Sequence, residues 1–249
     1  MEPPPPPDES DCCNSGCNPC ILDIYEEQLK KFKANQANLA PKSGKNCISQ
    51  TAYTIFKCVD KINHTETAYL YVFEYYKPFR ESAVKLYEGG VMSRYLRRIN
   101  VGSETLWRGP YCDFEIDYSY KFILMVAQGT GIAPLYAILK EMLNNEECES
   151  FIKLFYCCRS GEDIFLREDL YGCLSYWNFT YEVFLSQFKG VTVKYNEVIH
   201  DNRLDKGCVR SYLSDKADNT SQILICGSDV FNRDLTADLG DLNVHVYSF

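Results

Sequence analysis

Between residues 51 and 109 apolar and polar positions alternate in short runs, TAYTIFKCV (51–59), ETAYLYVFEYY (66–76), SAVKLY (82–87) and SETLWRG (103–109). Partial period-two alternation in residues rich in Thr, Tyr, Val and Phe predicts strands with one buried face. Between the last two, VMSRYLRRI (91–99) has helical spacing. From Lys121 the pattern changes to apolar strands, KFILMVAQ, SFIKLFYCC, YEVFLSQ and SQILICGS, alternating with helices such as IAPLYAILKEMLNN. Strand, helix, strand repetition implies a doubly wound parallel sheet. Nearer the start, Ile21, Ile24, Tyr25, Gln28, Leu29 and Phe32 recur on one helical face, predicting an amphipathic helix of about three turns.

These runs divide the chain into a Pro-rich tail (1–11), a cysteine-rich module (12–34), a polar linker (35–48), an antiparallel β segment (49–117) and an α/β domain (118–249). At 249 residues two modest domains are expected. The tail MEPPPPPDESD has nothing to bury and is expected to be extended and solvated. A net charge of -8 argues against a nucleic-acid partner, whose phosphates are neutralised by Lys and Arg. No run of about 18 apolar residues predicts a membrane span. The opening prolines and acids lack the basic and apolar stretches of a secretory signal. Thirteen cysteines, an odd number, fit a reducing compartment, so an intracellular protein is expected. The triplets Asn63-His64-Thr65 and Asn178-Phe179-Thr180 then match glycosylation acceptors by chance. Oligomeric state has no signature.

The segment FILMVAQGTGIAP puts Gly129-Thr130-Gly131 between an apolar strand and a helix with Pro134 in its first turn. Glycines there let the backbone approach a phosphate, which the helix N-terminus attracts. About one hundred residues later, ILICGS ends a second apolar strand at Cys226-Gly227-Ser228. In a parallel sheet both turns lie at the carboxyl edge, where ligands bind.

VAQGTGIAP and ICGS, preceded by GGVMSRYL and WRGPYCDF, resemble the ferredoxin-reductase superfamily over about residues 49–249, above all the NADH-cytochrome b5 reductases. The resemblance implies an FAD-binding β-barrel ahead of an NAD-binding α/β domain. Hydride would pass from NADH to FAD and electrons on to a haem protein such as cytochrome b5. Cofactors carry such chemistry, so binding residues rather than catalytic ones are expected. Carried over position by position, Gly90, Met92 and Ser93 face the flavin pyrophosphate, and Tyr76 and Pro78 belong to the flavin signature. Lys85 is associated with the nicotinamide cofactor. Gly129 and Gly131 face its phosphates, Thr130 its nicotinamide, and Pro134, Cys226 and Gly227 complete the two turns. Asp163 accepts hydrogen bonds from the adenine ribose and favours NADH over NADPH, and Phe249 approaches the flavin.

The pattern also departs from the family's. The signature Arg-x-Tyr-Thr/Ser-Pro becomes Glu74-Tyr75-Tyr76-Lys77-Pro78, with a carboxylate where a cation belongs. Lys77 or Arg80 could supply the charge from a shifted position. Cys112 replaces a family glycine, and the β segment is short by roughly 25 residues against the family's pattern, leaving four or five strands where a closed barrel uses six. The rival expectation is therefore a flavin-less interaction protein, or a nonfunctional shortened isoform, on the same scaffold. At the other end, Cys13-x3-Cys17-x2-Cys20 beside Cys12 resembles the oxidoreductase-like N-terminal module. Metal at Cys13, Cys17 and Cys20, redox-active thiols and a passive segment all remain open for it.

Overall fold

The computed structural model describes residues 6–7, 11, 20–35, 48–65, 68–75, 77–86, 90–109, 114–188, 191–214, 216, 220–240, 242 and 244–249. The chain divides into two compact units, neither continuous in sequence. One comprises Met1–Lys61, Val72–Glu81 and Arg98–Phe114, the other Ile62–Tyr71, Ser82–Arg97 and Glu115–Phe249.

In the first unit, α1 (Ile21–Asn35) begins where Asp23 accepts a hydrogen bond from the Cys20 N–H at 3.2 Å, a carboxylate at the positive helix end. Gln28 of the helix donates to Gln50 at 2.5 Å. β1 (Thr54–Thr65) pairs antiparallel with β4 (Glu104–Trp107), Phe56 opposite Thr105. The buried Thr105 hydroxyl donates to the Phe56 carbonyl at 3.1 Å, and Phe73 packs edge-on against Trp107 with centroids 5.2 Å apart. With β2 (Ala68–Tyr75) and β3 (Lys77–Lys85) the sheet has the order β3-β2-β1-β4.

The described strands thus form a sheet of four, the lower of the expected counts. β1 runs six residues past the predicted end at Val59, because pairing in the sheet overrides the weak strand preference of Asp60, Lys61 and Asn63. Pro78, which the resemblance assigns to the flavin signature, and Lys77, which departs from it, open β3, with one residue between them and the end of β2. β3 is an edge strand, where proline's missing N–H need not interrupt a ladder.

The second unit is built on a parallel sheet of β5 (Phe122–Gln128), β6 (Phe151–Cys158), β7 (Phe179–Leu185), β8 (Val198–His200), β9 (Ser221–Cys226) and β10 (His245–Ser248). Its order is β10-β9-β5-β6-β7-β8, with every neighbouring pair parallel. The connections carry α3 (Ile132–Leu143), α4 (Arg167–Cys173), α5 (Lys206–Ser214) and α6 (Asp229–Asp238). β5 and β9 are buried along almost their whole length, which explains their continuous apolar runs. One core layer joins Val126, Ile223 and Ile225 to Phe155, Phe184 and Leu235, each burial contributing about 1.5–3 kcal/mol. The expected doubly wound sheet is present. β5 through β8 step one way and β9 and β10 lie on the other side, so the order reverses between β5 and β9.

A buried carboxylate fixes one flank. Glu197, whose side chain is fully covered, receives Arg167 Nε at 2.9 Å and Nη2 at 2.5 Å, the Tyr181 hydroxyl at 2.9 Å and the Lys194 N–H at 3.1 Å. Arg167 also donates to the Thr192 carbonyl at 2.6 Å. Burial would lift the Glu197 carboxyl, but hydrogen bonds from Arg167, Lys194 and Tyr181 prevail and hold it below the ordinary carboxylate range. Its folded value is depressed, so its contribution is present at neutral pH and lost as acidification passes through that value. Arg167→Ala strands this carboxylate and is expected to cost about 3 kcal/mol, read as a lower urea midpoint at pH 7. Glu197→Gln is expected to flatten the dependence of stability on pH below about 4. An unchanged acid limb would show that the group is not coupled to folding.

Candidate functional site

Ligands of open α/β sheets bind beyond the strand carboxyl ends where strand order reverses. Here that point is β5 against β9, and beyond it the second unit holds a cleft of about 680 Å³. The two turns bordering it are joined directly. Gln128, the last residue of β5, accepts through Oε1 from the Ser228 N–H at 3.1 Å and the Ser228 hydroxyl at 2.8 Å, across one hundred residues of sequence. Ser228 also caps α6, its hydroxyl accepting from the Phe231 N–H.

Between the two turns there is no room for a side chain. A Cβ on Gly131 would collide with the carbonyl oxygen of Cys226, so glycine alone lets the turn after β5 lie against the end of β9. Gly129 has φ +55°, the left-handed region that favours glycine. Gly129, Thr130 and Gly131 form a single 3-10 turn leading into α3, with Pro134 in the first helical turn, where its missing N–H costs no helix bond. The bare backbone at a helix N-terminus is a cradle suited to a diphosphate.

Tyr156 of β6 supports the glycine turn. Its buried hydroxyl donates to the Gly129 carbonyl at 3.1 Å and accepts from the Phe165 N–H at 3.2 Å, tying the glycine turn to the loop after β6. Burial raises this hydroxyl well above its ordinary range, so it remains a neutral donor. In that loop Asp163 lines the cleft, and its Oδ2 accepts from the Ser160 N–H at 3.2 Å and hydroxyl at 2.7 Å. A Cβ at Gly161 would collide with Val191, so the loop is pressed against the segment that Glu197 anchors.

Burial pushes the Cys157 thiol up to about 12 and raises those of Cys158 and Cys226 as well. The thiols at this sheet edge are therefore protonated at neutral pH and are poor nucleophiles. Cys226 meets the site through its carbonyl, against Gly131. Phe249 is fixed beside the end of β9, its N–H donating to Ile225 at 3.0 Å and its carbonyl accepting from Asn232 at 2.9 Å.

Gly129, Thr130, Gly131, Asp163 and Gly227 thus line one cleft. Gly90, Met92 and Ser93 sit at the start of α2 (Val91–Arg98), with Met92 exposed and Ser93 buried. No acidic residue occupies the first turn of α2, and Arg94, Arg97 and Arg98 follow, so the element suits an anion. Pro78 and Lys85 lie in β3. Tyr76, Cys13, Cys17 and Cys112 fall outside the described residues, and Cys20 stands before α1. Among the described residues no group of three or more His, Cys, Asp or Glu side chains could hold a metal ion. No helix among them is long and apolar enough to cross a membrane. Sequence reading missed Gln128, Tyr156, Arg159 and Arg203. Arg159 alone had a local signal, standing in the loop of Asp163.

Residues 125–236 match the oxidoreductase NAD-binding domain family, and residues 1–40 the oxidoreductase-like protein N-terminal family. The human NADH-cytochrome b5 reductase-like protein is 28% identical over 274 residues, covering 91% of this chain and 87% of its own length. The mouse protein of that name is 25% identical over 91% of this chain. Among solved structures, the CS-b5R domains of human Ncb5or in the NAD+ form superpose with a TM-score of 0.64 at 17% identity, covering 80% of this chain and 69% of that one. The cytochrome b5 reductase domain of Ulva prolifera nitrate reductase gives 0.61 at 17% identity, covering 82% of this chain and all of that one. The fold is of the ferredoxin-reductase type. The match to the reductase-like proteins runs almost the whole length of the chain, and these relatives and structural neighbours are oxidoreductases. The human alignment is longer than this chain itself, so the relative carries segments this chain lacks.

Gly131→Ala is expected to force the two turns apart, lowering stability by about 1–3 kcal/mol and NAD+ affinity by about tenfold or more. Thermal unfolding and calorimetric titration measure the two effects. Tyr156→Phe is expected to cost about 1–3 kcal/mol, because it leaves the buried Phe165 N–H without its acceptor. A variant as stable as the parent would show that Tyr156 does not carry the link.

Proposed function

We propose that the chain is a NADH-dependent flavin oxidoreductase that accepts hydride from NADH through FAD and passes electrons to a haem protein such as cytochrome b5. The observation that carries the reading is the pair of glycine turns clasped at the β5–β9 reversal above a dinucleotide-sized cleft. Bound here, NADH would supply a hydride and FAD would accept it and release electrons singly. The chain's own residues bind and orient. Gly129 and Gly131 present backbone to the diphosphate, Thr130 borders the nicotinamide, and Asp163 accepts from the adenine ribose. Pro134, Cys226 and Gly227 hold the two turns in shape, and Phe249 covers the flavin side. Gly90, Met92 and Ser93 offer the α2 N-terminus to the flavin diphosphate, with Tyr76, Pro78 and Lys85 from the segment before it. Charge supports this use of α2, since it carries three arginines and no first-turn acid.

One observation favours a second reading. Glu74 stands exposed on β2 at the position of the family's flavin arginine, and the antiparallel sheet has four described strands. On that reading the reductase scaffold binds the dinucleotide without FAD and serves interaction. Purification of the full chain with added FAD separates the two. The enzyme is expected to retain about one flavin per chain, seen as its visible absorbance band, and to reduce ferricyanide with NADH. Colourless protein with no NADH-dependent reduction after FAD supplementation would overturn the flavin enzyme.

A further inference from the structure

The chain carries net charge -8, yet its dinucleotide cleft has the opposite sign. The charged side chains lining it are Arg159, Asp163 and Arg203. Neither arginine pairs with a carboxylate among the described residues, and both are solvent-exposed. Arg159 is held in place instead by a neutral partner, its Nε donating to Gln187 Oε1 at 3.3 Å. The single carboxylate, Asp163, is already engaged at Oδ2 by two donors from Ser160. Two unpaired guanidinium groups opposite one hydrogen-bonded carboxylate make a local excess of positive charge.

Position decides what that excess is for. The diphosphate shared by all nicotinamide dinucleotides belongs to the Gly129–Gly131 turn and the start of α3. Arg159 stands elsewhere, four residues before Asp163 in the loop assigned to the adenine ribose, and Arg203 follows β8 on the same side of the sheet. A guanidinium offers a planar fork of donors matched to phosphate oxygens. We infer that Arg159 and Arg203 form a binding pair for the 2′-phosphate of a 2′-phosphorylated nicotinamide dinucleotide, so that the cleft takes NADPH as well as NADH. The inference rests on the dinucleotide reading of the cleft, and it assigns Asp163 mainly to holding its own loop through Ser160 rather than to repelling a phosphate.

Calorimetric titration of the full chain with NAD+ and NADP+ tests this without any need for flavin or turnover. NADP+ is expected to bind within about tenfold of NAD+ and to weaken more steeply with added salt, as an exposed ionic contact does. In the double variant Arg159→Gln with Arg203→Gln, NADP+ affinity is expected to fall by about tenfold or more while NAD+ affinity stays unchanged. Both positions are exposed, so folding is expected to survive, and the unfolding midpoint checks it. NADP+ binding more than about a hundredfold weaker than NAD+ in the parent chain would overturn the inference alone. An equal loss of both ligands in the variant would do the same, by assigning the arginines to the shared diphosphate. Absence of binding by either dinucleotide would overturn the cleft reading and this inference with it.

Discussion

The second unit depends on one close approach, the backbone of Gly131 lying against the carbonyl of Cys226 with no room for a single methyl group. β5 and β9 are neighbours in the sheet but lie far apart in sequence, separated by the crossovers that build β6, β7 and β8. Their carboxyl ends come together only if both turns are nearly bare. Gln128 then closes the junction by accepting both donors of Ser228, which also caps α6. One glutamine side chain thus fixes the entry to one helix relative to the strand preceding another. The surface that results is backbone N–H and helix N-terminus rather than side chain, which is what a diphosphate requires and what an apolar ligand does not.

From that junction the constraint spreads outward through buried hydroxyls and one carboxylate. Tyr156 links the glycine turn to Phe165, and the loop reaching Phe165 includes Ser160, Gly161 and Asp163. Gly161 is pressed on Val191, and the segment after Val191 is anchored by Arg167 and Glu197. The Asp163 side of the cleft is therefore held from two directions. Such supports are made of groups that are costly to strand, a buried phenol and a buried carboxylate with its guanidinium.

Much of this was legible in the sequence, for particular reasons. The runs FILMVAQ and SQILIC are apolar throughout because parallel strands covered on both faces have no polar side, and the glycines after them mark turns with nowhere to put a Cβ. The parallel sheet, α3 with Pro134 and the pairing of the turns at Gly131 and Gly227 all follow. Less legible were features set by tertiary pairing. β1 continues through Asp60, Lys61 and Asn63, whose local preference is against a strand, and β3 begins at Lys77-Pro78, ahead of the run SAVKLY that predicted it. Gln128 and Tyr156 were invisible because their roles exist only once β5, β6 and β9 are side by side.

The charge of the cleft shows the same limit at the level of electrostatics. Summed over the chain, acids outnumber bases, and the resemblance that matches Asp163 to a ribose-binding acid implies phosphate repulsion. What matters to a ligand is the charge left unpaired where it binds. Among the described residues, folding brings Ser160 to Asp163 and leaves Arg159 and Arg203 without acids, while Arg167 and Arg210, equally basic in the sequence, are taken up by Glu197 and Asp238. The local sign is thus decided by which ion pairs form, and an acidic protein can present a basic cleft.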